Sequence, residues 1–225
     1  MSTLRLAGLT LLALAGCPSG TSSDPGPESL RYLRQTPRGS RPECSFTIDP
    51  EPAGWRITSV TGALTVVARY DSTDRLLEAS ARIDGAEPVR VRVDGAHVGV
   101  LRPGQDAQVF ESAPGIIVTS APDWSDAFRI CRLWKRAQAG RQEFPGLWIH
   151  PEKPAQRLTF SAERTGSGTA GLERLSIRLR GNSAYVAWVD PAGRMIKLVS
   201  LPYGGDSAVL VLEGFEEAAA GLRPE

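Results

Sequence analysis

The chain has 225 residues, 41% of them hydrophobic and 23% charged, enough apolar material for one substantial core or two small ones. Its 26 Lys and Arg nearly balance 25 Asp and Glu, and no basic stripe with interleaved aromatics occurs, which argues against a nucleic-acid partner. The 23 glycines and 17 prolines, against 2 methionines, predict many turns between short strands.

The N-terminus carries Arg5 and then an apolar run from Leu6 to Ala15, too short to span a bilayer and ending in small residues, as a secretory signal does. Leu14-Ala15-Gly16-Cys17 resembles the lipobox of bacterial lipoproteins at all four positions. That resemblance implies removal of residues 1–16 and transfer of diacylglycerol to the Cys17 thiol, with further acylation by chains such as palmitate. One acyl chain binds a membrane marginally, whereas several hold it firmly. Pro18 is not the aspartate associated with inner-membrane retention, so the resemblance further implies a lipid anchor in the outer membrane, facing the periplasm. Without Arg5 the charges balance at 25 each. Residues 17–42 read as lipidated N-terminus and disordered tether, with a reach of roughly 25–30 Å, and residues 43–225 as a single β-rich domain.

Once Cys17 carries lipid, Cys44 and Cys131 remain as an even pair in an oxidising compartment, so a disulfide between them is expected. The alternative is that Cys131 is a small buried hydrophobe and Cys44 a thiol at a strand start. Neither reading makes them catalytic, since they do not form a C-x-x-C pair.

From Cys44 onward, short runs rich in β-branched residues alternate with turns. A strand from Cys44 to Ile48 is followed by a hairpin of Gly54 to Val60 and Leu64 to Tyr70 about Thr61-Gly62. Leu76 to Ile83 follows, and Val89-Arg90-Val91-Arg92-Val93 alternates so that valines face a core and arginines face water or a groove. His97 to Leu101, Ala107 to Glu111 and Ile116 to Thr119 complete the first meander.

An interior amphipathic helix is expected next. Asp123 is placed to cap it after Pro122, Asp126 sits in its first turn, and Gly140 ends it. Trp124, Phe128, Ile130, Cys131 and Trp134 share a broad face, leaving Arg129, Arg132, Lys135 and Arg136 as a solvated face or, alternatively, an anion site. Further strands run from Leu147 to His150, Arg157 to Glu163, Leu175 to Arg180, Ala184 to Asp190, Met195 to Leu201 and Ser207 to Leu212, with turns at Gly166-Ser167-Gly168, Gly181-Asn182, Pro191-Ala192-Gly193 and Gly204-Gly205. Glu213 to Leu222 reads as a short closing helix or a frayed tail.

The segment from Ala68 to Leu77 echoes that from Ala187 to Ile196 in the pattern Ala-x-Tyr/Val-Asp-x-x-Asp/Gly-Arg-Leu/Met-Leu/Ile. This strand-turn-strand pattern, together with Gly140 to Trp148, is similar to envelope proteins that look akin to the lipoprotein-localisation carrier fold. The resemblance covers about residues 54–201 and implies a mainly β fold: a large curved antiparallel meander, a half-barrel, with one interior helix in its concavity. It brings no catalytic residues.

Only His97 and His150 are available, neither in a metal-ligand pattern, and no nucleophile elbow or phosphate-binding loop occurs. No metal site, no catalytic residue and no cofactor is expected. Trp124, Phe128, Trp134, Trp148 and His150 are the candidates to line an apolar ligand site. The expected function is a non-catalytic binding or carrier module for a lipid or similar ligand, anchored to the membrane. A structural lipoprotein docking an envelope protein is the alternative. A hydrolase would require a cleft with a perturbed His or carboxylate.

Overall fold

The computed structural model describes residues 26–120, 123–167, 171–201 and 207–223. The signal run, the lipobox with Cys17 and the tether up to residue 25 lie outside the described residues, as do Pro122, Gly168 and the Gly204-Gly205 turn.

The alternating segments build one hairpin after another. The first arm comprises β1 (Glu28–Thr36), β2 (Gly39–Glu51), β3 (Gly54–Thr61), β4 (Leu64–Asp71), β5 (Leu76–Ile83), β6 (Val89–Asp94), β7 (His97–Leu101) and β8 (Gln108–Glu111). The chain then crosses to β9 (Ile117–Thr119) and helix α1 (Ser125–Leu133). A second arm runs through β10 (Gln142–His150), β11 (Lys153–Ser167), β12 (Glu173–Leu179), β13 (Asn182–Val189), β14 (Met195–Ser200) and β15 (Val209–Leu212), ending in α2 (Glu216–Ala220).

Among the described residues all strands join one 15-stranded sheet in the order β8 to β1, then β15 down to β9. The two meanders meet where β1 pairs antiparallel with β15, and β9 pairs parallel with β10. The fold is therefore mainly β, as expected, with α1 packed inside. The sheet curls far enough for the edge strand β8 to reach β11 of the other arm: Ala155 N–H donates to Gln108 Oε1 (2.8 Å) and Arg157 Nη2 to the Glu111 carbonyl (3.0 Å). Side-chain contacts of this kind cover an edge strand without extending the ladder.

The core follows from the period-two pattern. Val89 and Val91 are buried while Arg90 and Arg92 are exposed. Phe128 of α1 stacks on Phe46 of β2 at 4.1 Å and 4°, and Tyr32 of β1 meets Phe46 edge-on at 5.6 Å. The Tyr32 hydroxyl donates to the Met195 carbonyl (2.8 Å), tying β1 to β14. On the other face of the second arm, α2 covers Val186, Trp188, Val199 and Val211, and Lys197 Nζ donates to the Ala219 and Leu222 carbonyls at the helix end (2.9 and 2.7 Å). The closing segment is thus a docked helix.

The echoed turns have one geometry. Asp71 N–H donates to the Arg75 carbonyl, and its carboxylate accepts from the N–H groups of Thr73 (2.8 Å) and Arg75 (3.0 Å). Asp190 N–H donates to the Arg194 carbonyl, and its carboxylate accepts from Ala192 (2.9 Å) and Arg194 (2.8 Å). The fourth position is left-handed in both, Asp74 at φ 63° and Gly193 at φ 82°. Both turns hold α1 or the segment after it: Arg129 donates to Asp74 (2.6 Å), and Arg136 donates to the Asp190 carbonyl.

Four expectations are corrected. Residues 28–42 are not tether: Leu30 and Tyr32 are buried on either side of the exposed Arg31, and β1 is paired on both sides. Its arginines masked a strand that only neighbouring strands complete. The helix stops at Leu133, well before Gly140, because Trp134 turns extended (ψ 120°) and its indole N–H donates to Glu173 (3.0 Å). Three of the four cations are not a solvated face. Arg129 is buried over the Tyr70 ring at 4.1 Å, Arg132 pairs with Glu28 (2.9 Å) and Arg136 reaches the β13 end, because the sheet wraps more than one side of α1. Cys44 and Cys131, finally, are not joined. Both are buried free thiols whose pKa values burial pushes up, leaving them protonated in the apolar interior.

Candidate functional site

The start of α1 carries a buried polar knot. Asp123, expected as the cap, stands one residue before the N-cap position, which Trp124 occupies. The Asp123 carboxylate accepts from the Ser59 hydroxyl (2.6 Å), from the Ser125 N–H (3.2 Å) and from the Ser125 hydroxyl. Burial pushes its pKa up, and these hydrogen bonds oppose the shift.

Asp126 is buried as well, one oxygen accepting from Ala127 N–H (2.7 Å) and the other from the Tyr185 hydroxyl (3.1 Å). Burial raises its pKa to about 7, the Ala127 bond opposes, and the charge of Asp123 adds to the rise. A carboxyl raised in the folded state stabilises most below its unfolded pKa, and the contribution fades as pH rises through the folded value. Unfolding free energy is therefore expected to fall from about pH 4 to 7, Asp126 contributing a slope of at most about 1.4 kcal/mol per pH unit. Asp126→Asn removes that part of the slope. Urea unfolding at a series of pH values checks it, and an unchanged slope in the variant would refute the assignment.

Tyr185 connects this knot to a cavity of about 610 Å³. The walls come from separate elements: Trp124 before α1, Trp148 near the end of β10, Gln156 and Leu158 of β11, Leu179 of β12, and Ala184, Tyr185 and Leu201 around β13 and β14. Its size falls within the range of small-molecule sites, and apolar side chains share its lining with Gln156, Asn182, Ser183 and Ser200. Trp124 meets Tyr185 edge-on at 6.2 Å, and its indole N–H is buried with no hydrogen-bond partner among the described residues, a donor open to an acceptor. Lys153 and Arg180 complete the lining. A smaller groove of about 380 Å³ over β4 to β6 holds Arg90 and Arg92, so these arginines do face a groove. Arg69 there is already bonded to Glu51 and Glu78.

The five expected lining residues part company. Trp124 and Trp148 line the cavity together. Phe128, stacked on Phe46, and Trp134, bonded to Glu173, are buried in the core and fill the concavity instead. His150 stacks on Trp148 at 5.6 Å, and its Nδ1 accepts from Glu152 N–H (3.1 Å), so it backs the wall from outside the lining. Sequence reasoning missed Tyr185, Lys153 and Arg180. The alternation of β13 marks Tyr185 as a strand residue, but nothing local points the other two toward a shared cavity.

No family model matches this chain, and no curated protein matches it. Among solved structures, a DUF1089 family protein from Pseudomonas aeruginosa is similar at 17% identity, over 83% of this chain and 95% of that one, with a TM-score of 0.45. A β-barrel-like protein of the domain of unknown function DUF1849 from Brucella abortus is similar at 6% identity, over 83% and 96%, also with a TM-score of 0.45. The fold described above rests on the strand ladders of this chain.

Proposed function

We propose that this chain is an envelope lipoprotein, anchored in the outer membrane through Cys17, whose half-barrel is a non-catalytic binding or carrier module for an apolar ligand such as a lipid. The observation that carries this reading is the cavity of about 610 Å³ with Trp124, Trp148, Leu158, Leu179 and Leu201 on its walls. Helix and sheet enclose no ligand between them, because Phe128 and Phe46 occupy that space. The ligand lies instead beside the start of the helix, against the second arm. The lipobox supports the anchor. Asp126 suits a structural role better than a catalytic one, since both of its oxygens already accept hydrogen bonds from within the fold.

Native mass spectrometry of the chain extracted from membranes, followed by mapping of its N-terminal peptide, tests both parts. Expected are a diacylglyceryl group on Cys17 and one bound lipid per chain, displaced by a fluorescent fatty acid. A chain with neither co-purified lipid nor fatty-acid binding would end the carrier reading, and an unmodified Cys17 would end the anchor. The solid packing around Phe128 favours a second reading, a scaffold that docks another envelope protein. It predicts cross-linked partners in cells and an empty cavity.

A further inference from the structure

Resting on the reading of the cavity as an apolar binding site, we infer that its ligand is an anionic amphiphile, whose carboxylate or phosphate head is held by Lys153 and Arg180 while its chain lies against Trp124 and Trp148. The first support is charge. The chain as a whole balances acids and bases, yet among the described residues the cavity lining contains two cations and no carboxylate. Lys153 and Arg180 are exposed at the cavity, and a one-signed lining raises the local concentration of ions of the opposite sign.

The second support is the lack of internal neutralisation. Many arginines elsewhere pair with carboxylates, among them Arg56 with Asp49, Arg69 with Glu51 and Glu78, Arg129 with Asp74, Arg132 with Glu28 and Arg194 with Asp190, whereas Arg102 donates to the amides of Gln105 and Gln108. Among the described residues the Arg180 guanidinium has only the neutral amide of Gln156, to which its Nη2 donates at 2.9 Å. The Lys153 ammonium forms no hydrogen bond or ion pair among the described residues. Gln156 itself lines the cavity, so its amide fixes the guanidinium at the mouth without quenching its charge.

The third support is backbone geometry. Leu179 pairs with Asn182 across a two-residue turn in which Arg180 has φ 50° and Gly181 φ 82°. Both central positions are left-handed, where Asn-Gly or Gly-Gly is the relaxed choice. Arginine there is strained, and asparagine, the residue that would relieve it, stands two positions later in the same hairpin. The turn aims a long cation at the cavity mouth at the expense of local stability. An apolar chain below and a bidentate cation above match a single-headed anionic lipid or fatty acid.

Equilibrium titration of the purified full chain, read by tryptophan fluorescence, tests this with four probes below their micellar concentrations: palmitate, hexadecyl phosphate, hexadecanol and hexadecyltrimethylammonium. Palmitate and hexadecyl phosphate are expected to bind about tenfold or more tightly than hexadecanol, and the ammonium more weakly than the alcohol. In the Lys153→Gln, Arg180→Gln double variant the two anions fall to within about twofold of hexadecanol measured on the same variant. Equal affinities for all four in the parent, or a preference that survives the double variant, would overturn the head-group assignment and leave the apolar cavity standing. Inorganic phosphate alone binding as tightly as hexadecyl phosphate would replace the amphiphile with a free anion. If none of the long-chain probes binds, the cavity reading and this inference fall together.

Discussion

Phe128→Ala is expected to lower the unfolding free energy by about 3–5 kcal/mol, read by urea denaturation with circular dichroism. The side chain is 1% exposed and stacks on Phe46, which in turn meets the edge of Tyr32, so its removal opens a void at the centre of three elements. Helix α1 has nine residues, too few to be stable in isolation, and it exists because the sheet packs around it. Its N-terminal knot adds to the dependence, since Ser59 of β3 bonds Asp123 and Tyr185 of β13 bonds Asp126. Phe128→Leu, which retains most of the volume, is expected to cost under half as much. A loss below about 1 kcal/mol for the alanine variant would mean that Phe128 is not a core anchor.

Gly54→Ala is expected to cost about 3 kcal/mol or more, or to prevent folding altogether. Gly54 opens β3 at φ +153°, and an added Cβ would stand 2.0 Å from the Tyr70 carbonyl oxygen and 2.6 Å from the Asp71 carbonyl carbon. Both obstacles are backbone, so neither can rotate away. Relief requires β4 to move, and with it the Asp71 turn whose Asp74 holds Arg129 of the helix. Gly62→Ala is the control: φ is +57°, no atom lies within 4 Å, and the expected cost is only about 1 kcal/mol. Thermal melts of the two variants side by side separate a steric clash from a purely conformational penalty. Equal losses would show that the close approach at Gly54 relaxes freely.

Much of the architecture was legible because hairpins are local. The Thr61-Gly62, Asp84-Gly85 and Asp94-Gly95 turns, and the alternation of Val89 and Val91 with arginines, specify which residues pair and which face is buried within about ten residues of chain. The echoed aspartate turns were legible for the same reason, as each carboxylate bonds N–H groups of its own loop. The strand β1 was not, because its polar, arginine-rich residues acquire a buried face only once β2 and β15 flank them.

The candidate site divides along the same line. Sequence by itself determined the turn-and-strand grammar, the helix-forming run and the presence of apolar aromatics around it, since each is a property of neighbours in the chain. Only the tertiary structure decided that Phe128 and Trp134 fill the interior while Trp124 and Trp148 line a cavity, and that Cys44 and Cys131 stay apart as thiols. Helical periodicity marks an apolar face without saying what it packs against, and here the sheet also meets the opposite face and buries Arg129. The convergence of Lys153, Arg180 and Tyr185 on one cavity was likewise a tertiary outcome. Residues on successive hairpins become neighbours through the lateral order of strands in the sheet, and that order is set by packing over the whole molecule.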